Sequence, residues 1–175
     1  VHTFHGHVFH GYFGKGKTLA YKTVERLLSR WSSSIIAISD HQKKELTQIH
    51  KVAPAHKTKV IPLGFELSRF LNSSEDQRHA FRSKYGIDQD AFVIGIVGRL
   101  APIKDHSLFL DAIAIANKKA NRNLKVTIVG DGELKAPLQE KARLLGLTNI
   151  IWTSWIKDVE SAIPGMDVVV LTSIN

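Results

Sequence analysis

From residue 75 onward, short apolar runs at 92–97, 125–129, 149–152 and 167–172 alternate with stretches of helical periodicity. A strand that is apolar on both faces needs cover on both faces, which points to a parallel sheet with helices on each side. The pattern predicts a doubly wound, Rossmann-like α/β domain. Helices are expected over 75–85, closed by Gly86; from about 106 to 120, N-capped by Asp105; over 134–145, closed by Gly146; and, briefly, over 158–163. Residues 1–63 follow the same theme less regularly. A strand is expected within Val1–Phe9, and the spacing of Val24, Leu27, Leu28 and Trp31 predicts an amphipathic helix over 19–31. A strand at Ile35–Ile38, a helix over 40–50 behind a Ser39/Gln42 capping box, and a strand at Lys59–Pro62 complete this part. Residues 64–74, with Gly64 and several serines, read as a linker. The expected organisation is therefore one Rossmann-like unit over 1–63, a linker over 64–74 and a second Rossmann-like unit over 75–175.

Charge supports the same boundary. Lys and Arg number 24 against 16 acids in 175 residues, a net +8, and residues 1–74 hold 11 of the bases but only 4 of the acids. Seven of the nine histidines also lie within residues 1–56. A basic surface attracts phosphates, whether on nucleic acid, anionic lipid or a nucleotide, although scattered lysines equally serve as solvated surface. No RNP, KH or zinc-knuckle pattern is present, which speaks against RNA. The absence of cysteine excludes disulfides, a thiolate nucleophile and Cys-ligated metals, and is compatible with a reducing compartment. The longest apolar runs, Val168–Leu171 and Phe92–Val97, are far shorter than the roughly 20 residues that span a bilayer.

In open α/β sheets, ligands bind beyond the carboxyl ends of the strands. The rule directs attention to loops 98–105, 130–133, 153–157 and 172–175. In the first of these, Gly98 lets a ligand approach the backbone, and Arg99 and Lys104 bring two cations near a helix N-terminus that itself favours anions. A diphosphate suits such a place. At an effective dielectric of about 20, each cation ~4 Å from a phosphate charge contributes on the order of 4 kcal/mol before desolvation. The same two residues would also suit an ordinary solvated helix start. Gly130-Asp131-Gly132 follows a strand but lacks the third glycine of a dinucleotide fingerprint, so a tight turn is its simplest reading. His5 and His7 share a face of an extended strand, and one of them could act as a base or hydrogen-bond donor at a strand end. His2 and His10 read as surface or partly buried residues. No acid lies within residues 1–20 to complete a common zinc set, and no metal is expected. Trp152 and Trp155 flank a strand end; packing is the simpler role for both, and stacking on a base the alternative.

The order of TFHG at 3–6, IIAISDHQKKEL at 35–46, KVIPLGFELSRF at 59–70, IGIVGRLAPIKDHSLFLDAI at 94–113, VTIVGDGELKAPL at 126–138 and MDVVVLTSIN at 166–175 is more specific than any single stretch. Together they resemble the retaining glycosyltransferases of family 4, which are built on the two-Rossmann-domain architecture called GT-B. The resemblance implies transfer of a sugar from a nucleotide diphosphate donor to a saccharide or lipid-linked acceptor with retention of configuration. It requires no cofactor and no obligatory metal, the nucleotide sugar being a co-substrate. It implies that Gly98, Arg99 and Lys104 hold the donor diphosphate, that His5 reaches the donor sugar from the acceptor-side unit, and that the loop at Trp155 and Ile156 meets the nucleobase. A cytoplasmic location is expected, without nucleic acid as a partner; the charge of Lys15, Lys17, Lys22, Arg26 and Arg30 could set the acceptor-side unit against the anionic inner face of a membrane, which would suit a lipid-linked acceptor. The family's Glu-x(7)-Glu motif would open at Ser173-Ile174-Asn175 and begin with the following residue, and the front half of the acceptor unit is not in the sequence. The resemblance therefore implies an internal piece of a larger enzyme. A nucleotide-sugar epimerase on the same fold and a polyanion-binding module are the alternatives.

Overall fold

A computed structural model of the chain describes residues 1–5, 15–71, 74–120 and 123–174. They form two compact units, Val1–Phe65 and Glu66–Asn175. The fold is mixed α/β with parallel sheets in both.

In the first unit, β1 (His2–Phe4), β2 (Ile35–Ala37) and β3 (Thr58–Val60) make a parallel sheet in the order β1-β2-β3. Phe4, Ile35, Ala37, Leu46, Val52 and Ala53 form its core. Helix α1 (Lys15–Trp31) begins a turn earlier than its apolar spacing suggests. Its stripe Val24, Leu27, Leu28 and Trp31 is exposed among the described residues, which the periodicity alone did not foretell. Gly6 to Phe9, where strand 1–9 was expected to continue, and His7 and His10, lie outside the described residues. Helix α2 (Asp40–Lys44) runs on as a π-helical turn, Glu45–Ile49. Ser39 Oγ accepts from the Gln42 N–H as expected, but the Gln42 side chain accepts from Ile38 N, one residue beyond the reciprocal partner of a capping box. Arg26 donates to the carbonyls of His50 and Lys51, tying α1 to the end of that helix.

The second unit opens with the four-residue helix α3 (Ser68–Leu71), inside the stretch read as linker. Helix α4 (Glu75–Lys84) carries the complete capping box, Ser74 with Gln77. Strands β4 (Phe92–Val97), β5 (Leu124–Val129), β6 (Ile150–Ser154) and β7 (Val168–Val170) form a parallel sheet in the order β6-β5-β4-β7. Alternation along β4 and β5 sends Ile96, Val126 and Ile128 to one face, where Phe109, Leu110 and Ile113 of α5 (His106–Lys119) and Leu138 of α6 (Lys135–Leu144) cover them. Val93 and Val129 point the other way, into a second core with Phe81, Ile87, Ala162 and Met166. The two-sided apolar runs thus have the two-sided cover they require. The short helix expected over 158–163 is two turns of 3-10 helix, Val159–Ser161 and Ile163–Gly165.

One polar knot escapes sequence patterning. Arg82 is fully buried in the second core, donating to the carbonyls of Gly165, Gln89 and Ala91 and to the Asp167 carboxylate at 2.9 Å. Asp167 also accepts from Arg78 and from the N–H of Val93, the second residue of β4. No helix of the described residues is long and apolar enough to cross a membrane.

Candidate functional site

Because the strands of the second sheet are parallel, the loops after β4, β5 and β6 leave the same edge, and main-chain bonds stitch them together. Gly98 N donates to Val129 O, Leu100 N to Asp131 O, and Gly130 N to Ser154 O, all within 3.0 Å. Gly130 sits at φ 145°, and a Cβ there would collide with the Gly98 carbonyl; only glycine lets these two loops touch. The turn expected at Gly130–Gly132 is therefore one wall of a cavity.

That cavity is about 380 Å³. Val97 and Val129 line it from the strand ends, Gly98, Arg99, Gly130 and Asp131 from the first two loops, and Trp155, Ile156 and Val159 from the third connection. A lining that combines apolar side chains with a cation and glycine backbone suits a ligand with both a flat apolar part and an anionic part. Of the sequence-singled residues, Gly98, Arg99, Trp155 and Ile156 all line it. Trp152 packs against the core, in keeping with its expected role. Trp155 does not: 71% of its surface is exposed, which corrects the expectation of packing for that residue.

Lys104 stands beside the cavity rather than in its lining. Its Cγ, Cδ and Cε lie 3.8–3.9 Å from where a Gly98 Cβ would be, so its alkyl chain runs along the glycine. Lys104 ends a 3-10 turn, Pro102–Lys104, and is followed by Asp105 in the left-handed region at φ 43°. Asp105 caps α5 as expected, accepting from Leu108 N at 3.1 Å. Thr172 Oγ1 donates to the carbonyls of both Lys104 and Asp105, and Ile174 N donates to Ile103 O, so the segment after β7 braces this loop. His106, the first residue of α5, is 1% exposed with no hydrogen bond to either ring nitrogen. Burial and then nearby Lys104 lower its pKa, outweighing the opposite pull of Asp105.

Sequence reasoning missed a set of charged residues around the second loop. Arg99 Nη2 donates to Glu133 Oε2 at 3.1 Å. The Glu133 carboxyl is held below the usual carboxylate range by its own main-chain N–H and then by Arg99. Lys135 donates to Asp131 Oδ2 at 3.0 Å and to Ser154 Oγ at 2.6 Å. It is the largest influence keeping the Asp131 carboxyl below its ordinary value, with the Gly132 N–H next. The i, i+4 spacing of Asp131 and Lys135 at a helix start was the available signal.

In the first unit, His5 follows β1 and is exposed. His2 lies 3.2 Å from Glu25 and edge-on to Phe4. Among the described residues, no three His, Asp or Glu side chains gather in a way that could hold a metal ion.

The chain matches two sequence families: Glycosyl transferases group 1 over residues 77–175, and Glycosyltransferase Family 4 over residues 1–69. It is 30% identical over 186 aligned residues to the UDP-Gal:alpha-D-GlcNAc-diphosphoundecaprenol alpha-1,3-galactosyltransferase of Escherichia coli, covering 99% of this chain and 45% of that protein. It is 33% identical over 125 residues to the D-inositol 3-phosphate glycosyltransferase of Geodermatophilus obscurus, covering 67% of this chain and 27% of that one. Among solved structures, HepE of Anabaena in complex with UDP-glucose superposes with a TM-score of 0.79 at 23% identity, over 98% of this chain and 46% of HepE. The chain thus spans less than half the length of each of these proteins, and its fold is that of the GT-B glycosyltransferases. The epimerase and polyanion-binding alternatives draw no support from these matches. With its glycine-lined cavity at the sheet edge inside the matched region, the chain belongs to the group 1 glycosyl transferases.

Proposed function

We propose that the protein transfers a sugar from a nucleotide diphosphate donor to an acceptor with retention of configuration, as expected of family 4. The observation that carries this reading is the cavity, lined by glycine backbone, Arg99, Trp155 and Ile156 at the carboxyl edge of a parallel sheet. A nucleoside suits the apolar lining residues and its diphosphate suits Arg99 and the glycine backbone. A uridine diphosphate sugar is the donor to test first, given the UDP-Gal in the name of the E. coli relative and the UDP-glucose bound to HepE. The diphosphoundecaprenol in the relative's name makes a lipid-linked saccharide the acceptor to test first, with the basic residues of α1 toward an anionic membrane.

In this mechanism, Gly98 lets the diphosphate approach the chain while Arg99 and Lys104 oppose the charge that grows on it. The bond between the anomeric carbon and the phosphate oxygen breaks, a bond from that carbon to the acceptor oxygen forms on the same face, and the acceptor's proton passes to the departing phosphate. Fixed cations aimed at developing charge accelerate such a step without any metal. His5 hydrogen-bonds the donor sugar and acts as an orienting group rather than a strong base. Replacing Arg99 and Lys104 together with Ala in the full-length protein should lower turnover by roughly 10²-fold or more. A change smaller than about threefold would overturn the assignment.

A further inference from the structure

We infer that Lys135, which does not line the cavity, determines which base the cavity accepts by fixing the loop that carries Trp155 and Ile156; the inference rests on the nucleotide-sugar reading above. Strand β6 leaves its pairing irregularly. Ile128 pairs with Trp152 but Val129 pairs with Ser154, so one extra residue, Thr153, is bulged out. A bulge re-aims the chain that follows it. Ser154 then takes the left-handed region at φ 59°, a conformation a serine holds only when its surroundings enforce it. Two bonds do so, one from the neighbouring loop and one from the helix that follows it: the Gly130 N–H to Ser154 O at 2.9 Å, and the Lys135 ammonium at the start of α6 to Ser154 Oγ at 2.6 Å. The next two residues are Trp155 and Ile156, both on the cavity.

The same ammonium also holds Asp131, a cavity residue, at 3.0 Å. One partly buried cation therefore ties the loop after β5 to the loop after β6 and offsets a carboxylate that would otherwise face an anionic ligand unneutralised. Glycine at 130 supplies the main-chain half of the clamp and cannot vary; Lys135 supplies the side-chain half. Without it, Ser154 keeps only the main-chain bond from Gly130, its hold on the left-handed region loosens, and the Trp155 ring loses the fixed station from which it selects a base. Lys135 is in this sense a positioning residue, acting through Ser154.

The test is a set of affinities for uridine, cytidine, adenosine and guanosine diphosphates, measured by titration calorimetry on the full-length protein and on its Lys135→Met and Lys135→Arg variants. The wild type should favour one base by at least about tenfold. Lys135→Met should bring the four affinities to within about threefold of one another, and Lys135→Arg should restore part of the preference. An equal loss for all four nucleotides, with the preference intact, would show that Lys135 acts only as a phosphate counter-charge or a fold stabiliser, and would overturn the inference. Wild-type protein that binds all four alike would also overturn it while leaving the nucleotide-sugar reading in place. A wild type that binds none would remove both.

Discussion

Arg99, the cation in the cavity lining, already has a carboxylate partner: its Nη2 is 3.1 Å from Glu133 Oε2, with both side chains largely exposed. On the proposed function, an incoming diphosphate would compete with Glu133 for the same guanidinium. Exposed pairs of this kind are weak, so the exchange is easy but measurable. Glu133→Gln should tighten uridine diphosphate binding by about threefold, more at low salt than at high, and leave uridine itself unaffected. A weaker diphosphate affinity in the variant would mean that Glu133 orients Arg99 instead of competing for it.

The contact between the Gly130 and Gly98 loops is steric, and its removal is a separate experiment. Gly130→Ala places a methyl group against the Gly98 carbonyl at a strained φ, and should lower nucleotide affinity at least tenfold while also destabilising the fold by about 1–3 kcal/mol. Gly146 also has positive φ, 69°, but opens onto free space. Gly146→Ala should cost about 1 kcal/mol in a urea titration and leave nucleotide binding unchanged.

Asp167 is the anionic centre of the buried knot. Its burial raises the carboxyl pKa, but the Val93 N–H, Arg78 and Arg82 together outweigh this and hold it below the usual value. Asp167→Ala leaves the fully buried Arg82 guanidinium without its counter-charge and should cost about 3 kcal/mol or more, read from urea midpoints. A depressed carboxyl pKa contributes stability that is present above its unfolded value, near 3.9, and lost as pH falls through the folded one. The wild type should therefore lose stability in acid more steeply than Asp167→Ala does.

His106 has the opposite chemistry. Kept neutral by burial, it takes up a proton more readily in the unfolded chain than in the folded one. Stability is complete above about pH 6.5 and declines as pH falls below it, because the unfolded state binds the additional proton. His106→Leu should remove that decline: relative to the wild type, its urea midpoint should rise between pH 7.5 and pH 5.5. Parallel midpoints at the two pH values would show that the ring does not titrate in this way.

The second unit was the more legible half of the chain because its signals are local. The two-sided apolar runs, the Asp105 cap and the glycines at 86 and 146 each follow from a few neighbouring residues. Positions 98–99 followed from the rule that ligands gather at strand ends and 155–156 from the family resemblance, and all four line the cavity, whereas Lys104, singled out with Arg99, stands beside it. What sequence could not supply was pairing at a distance. Arg82 meets Asp167 across 85 positions and Arg99 meets Glu133 across 34, and no periodicity announces either partner. Trp155 resembled a core residue because its type is usually buried, whereas the bulge at Thr153 and the turn at Ser154 carry it outward. The exposed stripe on α1 has a related cause: helical spacing reports that a face is apolar and says nothing of what covers it.

The three cavity loops are joined first through peptide groups, with the Lys135 side chain adding its own tie between the second and third. Positions 99, 133 and 155 therefore sit on a main-chain frame to which their own side chains do not contribute. Single exchanges at these points would retune the chemistry of the opening while its outline persisted.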